Sequence, residues 1–129
     1  MTIIGIGSDI VKVSRIEKLV ERYDQRFLKR VFTITETNYA TSKARPAIHF
    51  AARFAAKEAF VKALGSGFRH GLNWPDIEVV NNELGQPQLR LHNYAQQVFC
   101  EKGNATAWLT LSHEQDFALA FVVLETKNS

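Results

Sequence analysis

The sequence predicts an α+β fold, and three observations carry that prediction. Helical and strand-like segments are segregated along the chain instead of alternating strictly. The run His49–Leu64, rich in Ala, Phe, Lys and Glu, reads as a long helix closed by Gly65-Ser66-Gly67. Two apolar runs at the C-terminal end, Ala107–Ser112 and Phe117–Leu124, flank a short polar turn over His113–Asp116 and read as a hairpin.

The remaining elements follow in order. Thr2–Val11 alternates apolar residues with two glycines and reads as a short strand that carries Asp9 into a helix. Lys12–Arg30 has helical periodicity, with Ile16, Val20, Tyr23 and Phe27 along one stripe. Thr33-x-x-Glu36 has the spacing of a capping box at the start of a short helix, which Arg45-Pro46 breaks. A loop with Gly71 and Pro75 leads to the strand Ile77–Val80, and the turn Leu84-Gly85-Gln86-Pro87 leads to a second strand, Gln88–Leu91. Asn93 is placed to cap a helix that runs through Cys100 and ends near Gly103. No repeat or internal linker interrupts the chain, so residues 1–129 are read as one domain.

Composition narrows the class. Of 129 residues, 46% are apolar and 22% charged, as expected of a packed, soluble domain. The lone Cys100 excludes an intramolecular disulfide framework, and no apolar run approaches the roughly 20 residues of a membrane span. The N-terminus has neither a basic leader nor a cleavage site, so a cytoplasmic location without membrane attachment is expected.

The formal net charge of +3 is unevenly spread. Lys12–Arg30 holds seven basic residues against three acids, a local excess of +4, which leaves the rest of the chain at −1. On a helix Arg15, Lys18, Arg22, Arg26 and Lys29 fall within an arc of about 80°. Such a face is either merely solvated or a dock for an acidic partner. No stacking aromatics interleave it, which disfavours nucleic acid.

Several motifs separate chemistry from coincidence. Gly5-Ile6-Gly7 lacks the third glycine of a dinucleotide fingerprint because position 10 is Ile; the two glycines instead suit close backbone packing. Asp9, where a strand yields to a helix, is either an N-cap or a metal-binding carboxylate. Glu58 and Lys62 stand at i and i+4, the spacing of a helix-surface ion pair. With Lys57 and the glycine-rich exit they also suit a phosphate and its divalent cation. The four histidines and Cys100 lack zinc-ligand spacing, and Ser112-His113 lacks a nucleophile elbow.

Two of these segments together resemble a known family. Gly5-Ile6-Gly7-Ser8-Asp9-Ile10-Val11 followed by Arg53-Phe54-Ala55-Ala56-Lys57-Glu58-Ala59-Phe60-Val61-Lys62-Ala63 is similar to the bacterial holo-acyl-carrier-protein synthases, small 4'-phosphopantetheinyl transferases. Phe32-Thr33 with Glu36, Gly65-Ser66-Gly67, Gly85-Gln86-Pro87 and Leu111-Ser112-His113 extend the likeness over nearly the whole chain. The resemblance implies a 4'-phosphopantetheinyl transferase-like fold, an antiparallel sheet packed against a long helix, in a homotrimer with active sites between subunits. It implies magnesium-dependent transfer of phosphopantetheine from coenzyme A to a serine of apo acyl carrier protein, releasing adenosine 3',5'-bisphosphate, in support of fatty acid biosynthesis.

By the same resemblance, Asp9 and Glu58 hold the magnesium, and Asp9, Glu58 and Lys62 form the catalytic set. Glu58, directly or through a metal-bound water, is the expected base. Arg53, Lys57, Lys62, Gly65, Ser66, Gly85, Pro87 and His113 are expected around coenzyme A. Arg15, Arg22 and Arg26 are expected to dock the acidic carrier protein. A basic domain gripping nucleic acid and a small metal-dependent phosphohydrolase are the competing readings.

Overall fold

The computed structural model describes residues 1–65 and 71–127. In chain order they form β1 (Thr2–Lys12), α1 (Val13–Tyr23), α2 (Gln25–Val31), α3 (Ile34–Thr41) and α4 (Pro46–Leu64). A 3-10 turn at Trp74–Asp76 precedes β2 (Ile77–Asn81), β3 (Pro87–Leu91), α5 (Asn93–Cys100), β4 (Ala105–His113) and β5 (Phe117–Thr126). The α+β expectation holds. An antiparallel sheet in the order β1-β5-β4 packs against α4, and β2 and β3 form a separate antiparallel ribbon.

Two glycines set how closely α4 can lie on β1. A Cβ at Gly5 would stand 2.1 Å from the Ala63 carbonyl oxygen, and one at Gly7 would stand 2.1 Å from that of Ala59. Helix backbone therefore rests on strand backbone, as the small residues on both sides permit. Ala55, Ala56 and Ala59 of α4 are fully buried, as are Ala118, Ala120 and Val122 of β5 beneath them. Pro46 opens α4 at a position where its missing N–H costs nothing, three residues before the expected start. Gly65 closes it in the left-handed conformation at φ 82°.

The basic segment is two helices, not one. Asp24 takes φ 47° and ψ −122°, ending α1 and starting α2. On a continuous helix Leu28 would stand roughly 120° round from Ile16. The break turns both into the core, where Ile16 is fully buried and Leu28 nearly so. With ψ at −122° Asp24 lies outside the left-handed helical well that aspartate favours, so the turn is imposed by packing and not by local preference.

Glu36 and Lys57 form the buried polar centre of the fold. Their side chains are both fully enclosed, 2.9 Å apart. The Lys57 ammonium also donates to the carbonyls of Trp74 (3.1 Å) and Ile77 (2.6 Å), which gives each of its hydrogens an acceptor. Glu36 in turn accepts from the Val79 N–H at 2.8 Å and the Thr33 N–H at 2.9 Å. Burial pushes the Lys57 pKa down while Glu36 pulls it back up, so the pair survives enclosure only because it is fully satisfied.

Thr33 makes the expected capping box and also donates to Glu78 Oε2 at 2.6 Å. Burial acts to raise the Glu78 pKa, but the bonds from Thr33 and His92 outweigh it and hold the carboxyl below its usual range. Thr33→Ala removes the cap and leaves Glu78 short of a donor, so unfolding in urea should show a loss of about 1–2 kcal/mol.

Two local expectations are corrected. Asn93 is not the cap of α5: it is the first residue of the helix, at φ 51°, and its amide donates to Asp76 Oδ1 at 2.9 Å, while His92 occupies the cap position. His113 belongs to β4 and pairs with Ala118, which shortens the turn to Glu114–Asp116. No helix among the described residues is long and apolar enough to cross a membrane.

Candidate active site

Three side chains converge where β1 passes beneath the C-terminal half of α4. Asp9 comes from the strand, and Glu58 and Lys62 from successive turns of the helix. The close approach at Gly5 and Gly7 is what brings these turns over Asp9. Lys62 does not pair with Glu58 as the i, i+4 spacing suggests. Its ammonium reaches across to Asp9 Oδ1 at 3.0 Å and to the Ser8 carbonyl at 3.0 Å.

Glu58 feels all of these charges. Burial and then the Asp9 carboxylate raise its pKa, against the opposing pull of Lys62 and Arg15. Two carboxylates are thus held within each other's field, with two cations only partly offsetting them. The donor set fits magnesium. It offers hard oxygens from Asp9, Glu58 and the Ser8 carbonyl, and no group of three or more His, Cys, Asp or Glu occurs among the described residues. A cation that keeps waters and takes phosphate oxygens from a substrate suits so small a set, whereas a structural zinc does not.

A second charged cluster lies toward the other end of α4. Arg53, nearly fully buried, stacks its guanidinium 4.2 Å from the Tyr39 ring centre, and Lys43 covers the same ring at 4.7 Å. His49 stands 5.7 Å from Tyr39 and 6.1 Å from His113, ring centre to ring centre. Burial, then the charges of Arg53, His113 and Lys43, keep the His49 pKa low. Arg53 Nε, buried, has no hydrogen-bond partner. Three nitrogenous side chains around the Tyr39 ring, with His113 against His49, make an electropositive nook.

The expectation for Lys57 is corrected: with its ammonium enclosed and its hydrogens committed to Glu36, Trp74 and Ile77, it faces the interior and not a phosphate. Gly65 is exposed immediately beyond α4, and Ser66 lies outside the described residues. Gly85, at φ 83°, and Pro87 shape the tip of the β2–β3 ribbon, a unit separate from the sheet that carries Asp9. Sequence reading missed Tyr39, Lys43 and His49. The four-residue steps from Tyr39 to Lys43 and from His49 to Arg53 are the local signals of their grouping.

The basic face also has a structure of its own. Arg22 and Arg26 both lie over the Tyr23 ring, at 5.4 and 5.8 Å. Beside them a groove of about 670 Å³ is lined by Leu19, Tyr23, Arg26, Phe27, Arg30, Val31, Phe54 and Trp74. Phe54 and Trp74 stack at 4.9 Å and 25°, and Arg15 covers Phe54 at 5.4 Å. Arg15 therefore joins this groove to Glu58, one turn along α4 from Phe54.

The chain is similar to proteins of one known family. The family model described as the 4'-phosphopantetheinyl transferase superfamily matches residues 5–122. The holo-acyl-carrier-protein synthase of Geobacter metallireducens is 50% identical over 123 residues, 95% of this chain and 98% of the relative. That of Syntrophus aciditrophicus is 46% identical over 121 residues, 94% of each chain. The crystal structure of the Neisseria meningitidis synthase superposes with a TM-score of 0.89 at 37% identity, covering 97% of this chain and all of that one. The Bacillus anthracis synthase, solved in complex with coenzyme A (3',5'-ADP), gives a TM-score of 0.80 at 36% identity over 98% of this chain and 100% of that one.

Proposed function

The chain belongs to the holo-acyl-carrier-protein synthases of the 4'-phosphopantetheinyl transferase superfamily, and from that membership we propose how its own residues perform the transfer. Coenzyme A is the donor and a serine of apo acyl carrier protein the acceptor. The observation that carries the proposal is the convergence of Asp9, Glu58 and Lys62 at the crossing of β1 and α4.

Asp9 and Glu58 hold a magnesium ion, which when bound supplies positive charge to the pyrophosphate oxygens. Glu58 accepts the proton of the attacking serine hydroxyl. The serine oxygen bonds to the phosphorus that carries pantetheine, and the phosphoanhydride bond to adenosine 3',5'-bisphosphate breaks. Lys62 stabilises charge on the departing phosphate. Arg53 and His113, with Lys43 and His49 beside them, receive a further phosphate of the nucleotide; Gly65, Ser66, Gly85 and Pro87 complete its surroundings. His49 precedes Glu58 by nine positions on α4, roughly 13 Å along the axis, so the two clusters are distinct within one subunit.

A homotrimer is supported by the sheet face that turns away from α4. Ile6 and Ile10 on β1, both about 60% exposed, adjoin Leu119 and Phe121 on β5 and Trp108 on β4, an apolar surface suited to a subunit contact. The enzyme serves fatty acid biosynthesis in the cytoplasm, its single domain spanning residues 1–129.

Mass spectrometry of purified apo acyl carrier protein tests the reading. With this chain, coenzyme A and magnesium, the carrier should gain the mass of one phosphopantetheine, and it should gain nothing when magnesium is chelated. Breakdown of coenzyme A without modification of the carrier would indicate a phosphohydrolase instead.

A further inference from the structure

Lys62 stands where a role toward phosphate alone does not put it. Its ammonium is turned onto Asp9 Oδ1 and the Ser8 carbonyl, each at 3.0 Å. The Lys62 side chain is about half exposed, while Asp9 is only 17% exposed. An ion pair this open to water is weak and readily exchanged. The contrast with Lys57, five residues earlier on the same helix, is direct: Lys57 is fully enclosed with three acceptors, and Lys62 is held by two on an open side.

The oxygens that Lys62 holds are also those a hard divalent cation prefers. An ammonium and a divalent cation cannot both contact Asp9 Oδ1 without strong repulsion at that range. Glu58 and Arg15 add one charge of each sign beside them, so Lys62 decides the balance at this centre.

We infer that Lys62 is a displaceable counter-ion of the carboxylate pair: a divalent cation competes with its ammonium for Asp9 and, on binding, releases Lys62 toward the anionic nucleotide. The inference rests on the reading that Asp9 and Glu58 hold the metal. It gives Lys62 two positions, one facing β1 and one facing substrate, and couples cation loading to phosphate capture. Because such coupling is reciprocal, Lys62 weakens cation binding as long as no phosphate draws it away.

The test uses the full chain and Mn2+ as probe, without nucleotide, with free Mn2+ counted by electron paramagnetic resonance. Lys62→Met should bind Mn2+ about tenfold more tightly than wild type, the scale expected for removing one charge a few ångströms from a divalent ion. Lys62→Arg, which keeps the charge, should stay near wild type. If Lys62→Met binds Mn2+ equally or more weakly while Asp9→Asn loses affinity, the metal site stands and the counter-ion role falls. If no variant binds Mn2+ and Asp9→Asn changes nothing, the metal reading itself falls and takes this inference with it. As a direct readout, the Lys62 13Cε resonance, assigned by its loss in Lys62→Met, should shift when Mg2+ is added to wild type. A resonance that stays fixed while Mg2+ binds would overturn the exchange.

Discussion

Replacing Glu58 by Gln should lower kcat by about a thousandfold at saturating magnesium and coenzyme A, within the range general-base catalysis supplies. The fold should not suffer. Burial and the Asp9 carboxylate raise the Glu58 pKa, so its ionised form is penalised in the folded chain above the unfolded pKa. A neutral isostere removes that penalty, and the melting temperature at pH 7 should hold or rise slightly. The same shift fixes a pH effect in the metal-free chain: Glu58 takes up a proton on folding, so its contribution to stability falls as pH rises from the unfolded toward the raised folded pKa, and Glu58→Gln lacks that component. Full turnover by Glu58→Gln with magnesium saturating would remove Glu58 from the chemistry; a lowered melting temperature would assign it a structural role.

The charges around Glu58 also show which features of this molecule are legible in sequence. Thr33 with Glu36 and Gly65 act on backbone groups within one helical turn, so their spacing alone places them, whereas Pro46, read as the end of the preceding helix, instead opens α4. The glycines of β1 are readable as a close approach, but not what approaches, because Ala59 and Ala63 lie more than fifty residues away. The break at Asp24 has no local cue: it is imposed by the burial of Leu28, a tertiary demand. Lys57 and Lys62 are the clearest case. Helix α4 is apolar on nearly every side, so no periodic stripe marks its buried face, and the two lysines look alike until Glu36 claims one and Asp9 the other. The family resemblance supplies roles for residues, whereas only the fold distinguishes a lysine that carries the core from one beside the carboxylates.

The break at Asp24 bears on the remaining large effect, recognition of the carrier protein. Arg22 lies in the last turn of α1 and Arg26 in the first turn of α2, yet both guanidiniums gather over Tyr23, so the kink concentrates charge instead of dispersing it. Beside them the groove lined by Leu19, Phe27, Phe54 and Trp74 offers apolar contact. An acidic amphipathic helix matches that combination, with carboxylates on the arginines and apolar residues in the groove. Reversing both charges, Arg22→Glu with Arg26→Glu, should raise KM for acyl carrier protein about a hundredfold at low ionic strength. KM for coenzyme A should stay within about twofold, and the defect should shrink as added salt screens the surface. Arg15 is the wrong residue for this experiment despite sharing the basic face. It covers Phe54 and its charge lowers the Glu58 pKa, so Arg15→Glu would perturb docking and catalysis together. Equal losses toward coenzyme A and carrier protein in the Arg22, Arg26 variant would mean that this face is not the dock. A selective loss assigns the charges gathered over Tyr23 to the carrier protein, whereas Arg15 serves both that face and the carboxylate site.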